Sequence, residues 1–103
     1  MNDIDTSNIT DMSNLFAYSE FNGDISKWDV SHVKNMNYMF MRSNFNADIS
    51  KWNVSNIENM AGMFESSKFN NDISNWDVSN VTNNIDMFVD CPIEEKYKPK
   101  FKK

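Results

Sequence analysis

The sequence predicts an α/β solenoid: a right-handed coil of about four 24-residue units, each a short parallel strand followed by a short helix. Three observations predict it. First, residues recur every 24 positions, as in Phe21, Phe45 and Phe69, in Ile25, Ile49 and Ile73, and in Trp28, Trp52 and Trp76. Phe16, Phe40, Phe64 and Phe88 keep the same interval. A fixed period of this size marks stacked-repeat architectures. Second, Trp28 and Val30 flank polar Asp29, the alternation of a half-buried strand. Third, Val33, Met36, Met39 and Phe40 fall at +3, +6 and +7, on one face of a helix.

The elements follow in order. A degraded copy opens the chain over residues 1–20, with Ile4 at the Trp position and Thr6 at the Val position. Ile9, Met12 and Leu15 hold its apolar positions. Full units span 21–44, 45–68 and 69–92. Ser31 has the chemistry of a helix N-cap, and Ser55 with Glu58 reads as a capping box. The helix of about two turns is too short to persist alone. Stacking buries its apolar face, with equivalent strands paired about 4.8 Å apart. The last copy decays: Asn84 replaces a Met, Cys91 a Ser and Ile93 a Phe. Residues 93–103 form a C-terminal cap and basic tail, with Ile93, Tyr97 and Phe101 covering the final layer. The first edge, Ile4–Ser7, is left open, which predicts end-to-end homodimerisation or an upstream segment.

Composition bounds the function. The length of 103 residues suits one domain. A single Cys excludes an internal disulfide framework. No apolar run reaches the roughly 18 residues of a membrane span. The opening residues show neither a secretion signal nor a lipid-anchor Cys. Residues 1–90 carry five basic and thirteen acidic side chains, and residues 91–103 carry five Lys and two Glu. The acidic body argues against nucleic acid, whose phosphates need cations.

The strand pattern Ile25-x-x-Trp28-x-Val30 resembles that of a leucine-rich repeat. More narrowly, Phe45-Asn46-Ala47-Asp48-Ile49-Ser50-Lys51-Trp52-Asn53-Val54 and Asn59-Met60-Ala61-Gly62-Met63-Phe64 resemble a repeat family of mycoplasma and other bacterial surface lipoproteins. That family is related to BspA-like leucine-rich repeats. The resemblance covers roughly residues 4–93. It implies an open solenoid, and with it a cell-surface or secreted location and a role in adhesion or host interaction.

The Trp and Met rows read as core, with a groove that stacks sugars as the alternative for the Trp row. Asp24, Asp48 and Asp72 read as acceptors of turn N–H groups, with a calcium column as the alternative. Asn22, Asn46 and Asn70 read as a hydrogen-bonded ladder, and His32 as a surface residue. No catalytic set recurs, so neither a catalytic residue nor a cofactor is expected. The strand face nominates Lys27, Asp29, Lys51, Asn53, Asn75 and Asp77 as partner contacts. The convex side, where the copies differ, adds Tyr38, Arg42, Glu65 and Lys68. These residues point to a non-catalytic protein-interaction or surface-display module. The alternatives are a structural spacer of a larger surface protein and a carbohydrate- or calcium-binding module.

Overall fold

Short polar side chains decide the local backbone. Asp24 Oδ1 accepts the N–H of Ser26 at 2.9 Å, and Asp29 Oδ1 that of Ser31 at 2.9 Å. Asn35 Oδ1 takes the N–H of Asn37 at 3.0 Å, and Ser43 Oγ takes that of Phe45 at 3.3 Å. Asp48, Asn53, Asn59 and Ser67 do the same one copy later. Each of these two copies therefore contains four turns closed by its own side chains, a motif that competes with regular secondary structure.

This competition overturns the expected α/β solenoid of strands and helices. In the computed structural model, which describes residues 3–101, the one helix is a single 3₁₀ turn over Glu95–Tyr97. Strand pairing among the described residues is reduced to isolated parallel bridges joining Asp11, Asn35, Asn59 and Asn83. Around Trp28-Asp29-Val30 the alternation of burial survives, but the flanking N–H groups of Ser26 and Ser31 go to carboxylates. Ser31 is therefore not a helix cap. Beyond it, Tyr38 and Arg42 have φ of 59° and 55°, which no right-handed helix accommodates. Val33, Met36, Met39 and Phe40 are all fully buried, as a helical face would be. Consecutive β-turns deliver them there instead, with Met39 N bonded to Met36 O and Ser43 N to Phe40 O. The Ser55–Glu58 capping box is absent too, since Ser55 closes a turn on Asn53.

The copies stack through a seam of backbone hydrogen bonds. The N–H groups of Met12, Asn14, Phe16 and Tyr18 donate to the carbonyls of Asn35, Asn37, Met39 and Met41. Met36, Tyr38, Phe40 and Arg42 repeat this toward Asn59, Ala61, Met63 and Glu65. Met60, Gly62, Phe64 and Ser66 repeat it toward Asn83, Ile85, Met87 and Val89. Alternate N–H groups thus run along the stack, and those between them close turns. A return row runs the other way: Lys34 N to Thr10 O, Glu58 N to Lys34 O and Thr82 N to Glu58 O. Another links Asn44 N to Ser19 O and Lys68 N to Ser43 O. Pro92 holds the next place in that row and has no N–H to give.

The core is a set of side-chain columns. Phe16, Phe40, Phe64 and Phe88 stack at 5.6, 5.5 and 5.9 Å between ring centres, within 8° of parallel. Phe21, Phe45 and Phe69 form a second column at 6.4 and 6.2 Å. Trp52 and Trp76 stack at 6.4 Å, and all three Trp are at most 7% exposed. Their polar edges are satisfied by backbone: Trp52 Nε1 donates to Ile25 O and Trp76 Nε1 to Ile49 O, both at 3.1 Å. Each bond reaches the preceding copy, so the indoles tie layers together as well as filling them. Ile93 is buried against the last layer, and Tyr97 and Phe101 pack on it more loosely. Lys102 and Lys103 of the basic tail lie outside the described residues.

Candidate functional site

Two backbone columns lie in the left-handed region, and they shape the side of the stack where the copies differ. Asn14, Tyr38, Gly62 and Asp86 form one, at φ of 58° to 60°. Tyr18, Arg42, Ser66 and Asp90 form the other, at 55° to 62°. Each is the third residue of a hydrogen-bonded turn, where a type II turn demands positive φ. Here a single Gly meets the demand, and the other seven positions carry side chains at some conformational cost.

Those side chains form a non-repeating ridge. The Tyr38 ring lies over Gly62, where an added Cβ would come within 2.4 Å of the ring and 3.1 Å of Glu65 Oε1. The Arg42 guanidinium sits 5.8 Å from the centre of the Tyr18 ring, a cation–π contact. Arg42 N bonds to Glu65 O at 2.8 Å, which sets those two residues on adjacent turns. Tyr38, Arg42 and Glu65 are thereby brought together. Lys68 stands one row further on, its N–H bonded to Ser43 O at 3.2 Å. Tyr18, at 65% the most exposed large apolar side chain among the described residues, belongs to this ridge and was not singled out from the sequence. Its signal was its place 24 residues before Arg42.

A family profile described as Mycoplasma protein of unknown function, DUF285, matches residues 1–99. The chain belongs to the DUF285 family. No curated protein and no solved structure matches this DUF285 chain.

The second nominated surface of the DUF285 chain is regular. Lys27, Lys51 and Asn75 form one exposed column, and Asp29, Asn53 and Asp77 another. Asp29 and Asn53 each accept a Ser hydroxyl as well as its N–H, and Asp77 accepts the Ser79 N–H. The two nominated groups therefore lie on separate rows, one uniform and one individual.

Five aspartates have their pKa lowered by the hydrogen bonds of their turns. Hydrogen bonds from Ser31 lower the Asp29 pKa, and those from Ser50 and Ser74 lower Asp48 and Asp72. Asp5 and Asp11 are lowered in the same way by Ser7 and Ser13. At Asp48 the nearby Asp24 carboxylate opposes the shift. Among the described residues, no group of three or more His, Cys, Asp or Glu is placed to hold a metal ion. The Asn ladder exists: Asn22 Oδ1 accepts Asn46 N at 2.7 Å, and Asn46 Oδ1 accepts Asn70 N at 2.8 Å. His32 Nδ1 lies 3.0 Å from Ser7 O, where Asn56 and Asn80 place their amide donors in later copies. A carbonyl only accepts, so Nδ1 carries the proton there. Burial raises the Cys91 thiol pKa, and its Sγ lies 3.2 Å from Phe69 O. No helix among the described residues is long and apolar enough to cross a membrane.

Proposed function

We propose that this DUF285 chain is a non-catalytic module that presents a protein-binding ridge on a regular stack. The observation that carries the reading is the cluster of Tyr18, Tyr38, Arg42 and Glu65, which breaks an otherwise uniform repeat. Tyr and Arg are the side chains over-represented at the energetic centres of protein interfaces. Their positions here are set by backbone turns, so little order remains to be imposed on binding. The kinship with bacterial surface repeats, and the adhesion role it implies, belong to the same proposal.

The test compares retention of partners by the immobilised chain and by a variant altered at Tyr38, Arg42, Glu65 and Lys68. The expected result is loss of a specific bound protein, at least about tenfold, with an unchanged melting curve. Retention of every bound protein by the folded variant would remove the ridge from consideration. A matched variant at Lys27, Lys51 and Asn75 separates the ridge from the regular face.

A further inference from the structure

Asn22 heads the asparagine ladder, and the residue after it sets it apart from the later rungs. Asn22-Gly23 is the single Asn-Gly step in the sequence. The corresponding steps in the next two copies are Asn46-Ala47 and Asn70-Asn71. Packing selects the Gly. Phe21 stacks on Phe16 at 5.0 Å between ring centres, and a Cβ at position 23 would come within 2.6 Å of the Phe21 ring. One copy later, Phe45 is fully buried and Ala47 is accommodated.

An asparagine loses its amide when the next backbone nitrogen attacks the side-chain carbonyl carbon. Three features of Asn22 favour that attack. The first is the nucleophile. The Gly23 N–H has no acceptor among the described residues, and no Cβ crowds its approach. Ala47 N and Asn71 N also lack acceptors among the described residues, so this freedom belongs to the turn of every copy. The second is the electrophile. Asn22 Oδ1 accepts the Asn46 N–H at 2.7 Å. That donor draws electron density from Cγ and steadies the negative oxygen formed during attack, as in an oxyanion hole. The third is the leaving group. Asn22 Nδ2 has no hydrogen-bond partner among the described residues, and the side chain is exposed to water.

From this we infer that Asn22 is a self-modification site, converted in the folded chain by water alone. Gly23 N forms a bond to Asn22 Cγ, and the Cγ–Nδ2 bond breaks. The side-chain amide leaves as ammonia, carrying the proton of the Gly23 N–H. The resulting five-membered succinimide takes up one water. Opening at the new N–Cγ bond leaves an aspartyl residue at position 22. Opening at the bond between Gly23 N and the main-chain carbonyl routes the backbone through the former side chain, an isoaspartyl link. The two products affect the stack differently. The aspartyl oxygen still accepts the Asn46 N–H and adds a negative charge to an acidic body. The isoaspartyl link lengthens the main chain by one carbon between Phe21 and Ile25. Ile25 is fully buried, so the extra atom displaces one of the two from its column. None of the ridge residues takes part, so the two proposals fail independently.

The experiment incubates the folded chain in warm, mildly alkaline buffer, where the backbone amide gives up its proton more readily. Peptide mapping then separates asparaginyl, aspartyl and isoaspartyl forms at each rung. Asn22 is expected to convert at least about tenfold faster than Asn46 or Asn70, because only its neighbour lacks a Cβ. A smaller margin overturns the inference. A parallel sample in urea reports the unfolded chain. Conversion of Asn22 in the folded chain is expected within about tenfold of the urea rate, since the Asn46 N–H assists the attack. A folded chain slower than that means the stack shields the site, which also overturns the inference. Gly23→Ala should slow Asn22 by at least about tenfold, but its Cβ meets the Phe21 ring. The reciprocal Ala47→Gly adds no atom. It should bring the folded-state rate at Asn46 within about tenfold of that at Asn22. An Asn46 that stays intact in that folded variant would show that the turn does not permit the attack.

Discussion

The middle copies and the terminal copies share one template and differ in what covers them. Phe40, Phe45, Phe64 and Phe69 are wholly buried, each with a layer on both sides. Phe21 and Phe88, at the ends of the same columns, are only partly buried, Phe16 at the other end keeps 8% exposure, and Leu15 and Ile85 are largely exposed. Residue type does not account for this. A phenylalanine becomes core by having neighbours above and below, so burial here is a property of position in the stack. Removing an equivalent side chain should therefore cost far more in the middle than at the ends.

The largest expected effect is at Trp52. Trp52→Ala removes a buried indole and its bond to Ile25 O, and is expected to destabilise the chain by ~3–5 kcal/mol in denaturant titrations. Ile4→Ala, at the equivalent position in the opening copy, should cost under ~1 kcal/mol, because Ile4 is 49% exposed. Equal costs would break the comparison. Gly62→Ala comes next, at ~1–3 kcal/mol, because it adds a Cβ at φ 60° against the Tyr38 ring. Tyr38→Ala should recover part of that loss, and a double-mutant cycle measures how much.

Acid should act along the length of the stack. The turn carboxylates have lowered pKa values, so their stabilisation is complete above the unfolded value near 4 and is lost as pH falls through the lower folded values. Asp48→Asn should leave stability near pH 7 almost unchanged, because Asn53 closes the same kind of turn with a neutral side chain. It should also flatten the acid limb of a pH titration followed by circular dichroism. The smallest effect is expected at Asn37, whose Oδ1 is buried without a hydrogen-bond partner among the described residues. Asn37→Ala should be neutral or stabilising by up to ~1 kcal/mol, since no bond is lost and an unsatisfied group is removed.

The period, the identity of the core and the polar ladders were legible in the sequence. Phe, Trp, Ile and Met at fixed 24-residue spacing lie inside, the Asp residues accept turn N–H groups, and Asn22, Asn46 and Asn70 form their ladder. The backbone between these points was not legible. Apolar residues at +3, +6 and +7 suit one helical face, and they suit a run of β-turns equally well. The feature that separates the two is positive φ, and Gly is its usual sign. Here Gly62 alone carries that sign, and Tyr38, Arg42 and Ser66 occupy such positions without it. The Asp-x-Ser pairs are turn signals, and their frequency leaves no room for a strand. The ridge was half visible: Tyr38, Arg42 and Glu65 stood out by differing between copies, whereas Tyr18, 24 residues before Arg42, joins them through the guanidinium beside it.

The seam between copies has the same donors and acceptors each time, which fixes how the molecule tolerates a change in length. Inserting one residue within a copy would slide every later amide past its carbonyl and rotate inward groups outward. Duplicating a whole 24-residue copy leaves each junction as it was and merely adds a floor. Growth is thus permitted in integers and forbidden in fractions, and a family of chains built this way can differ in height while keeping one cross-section.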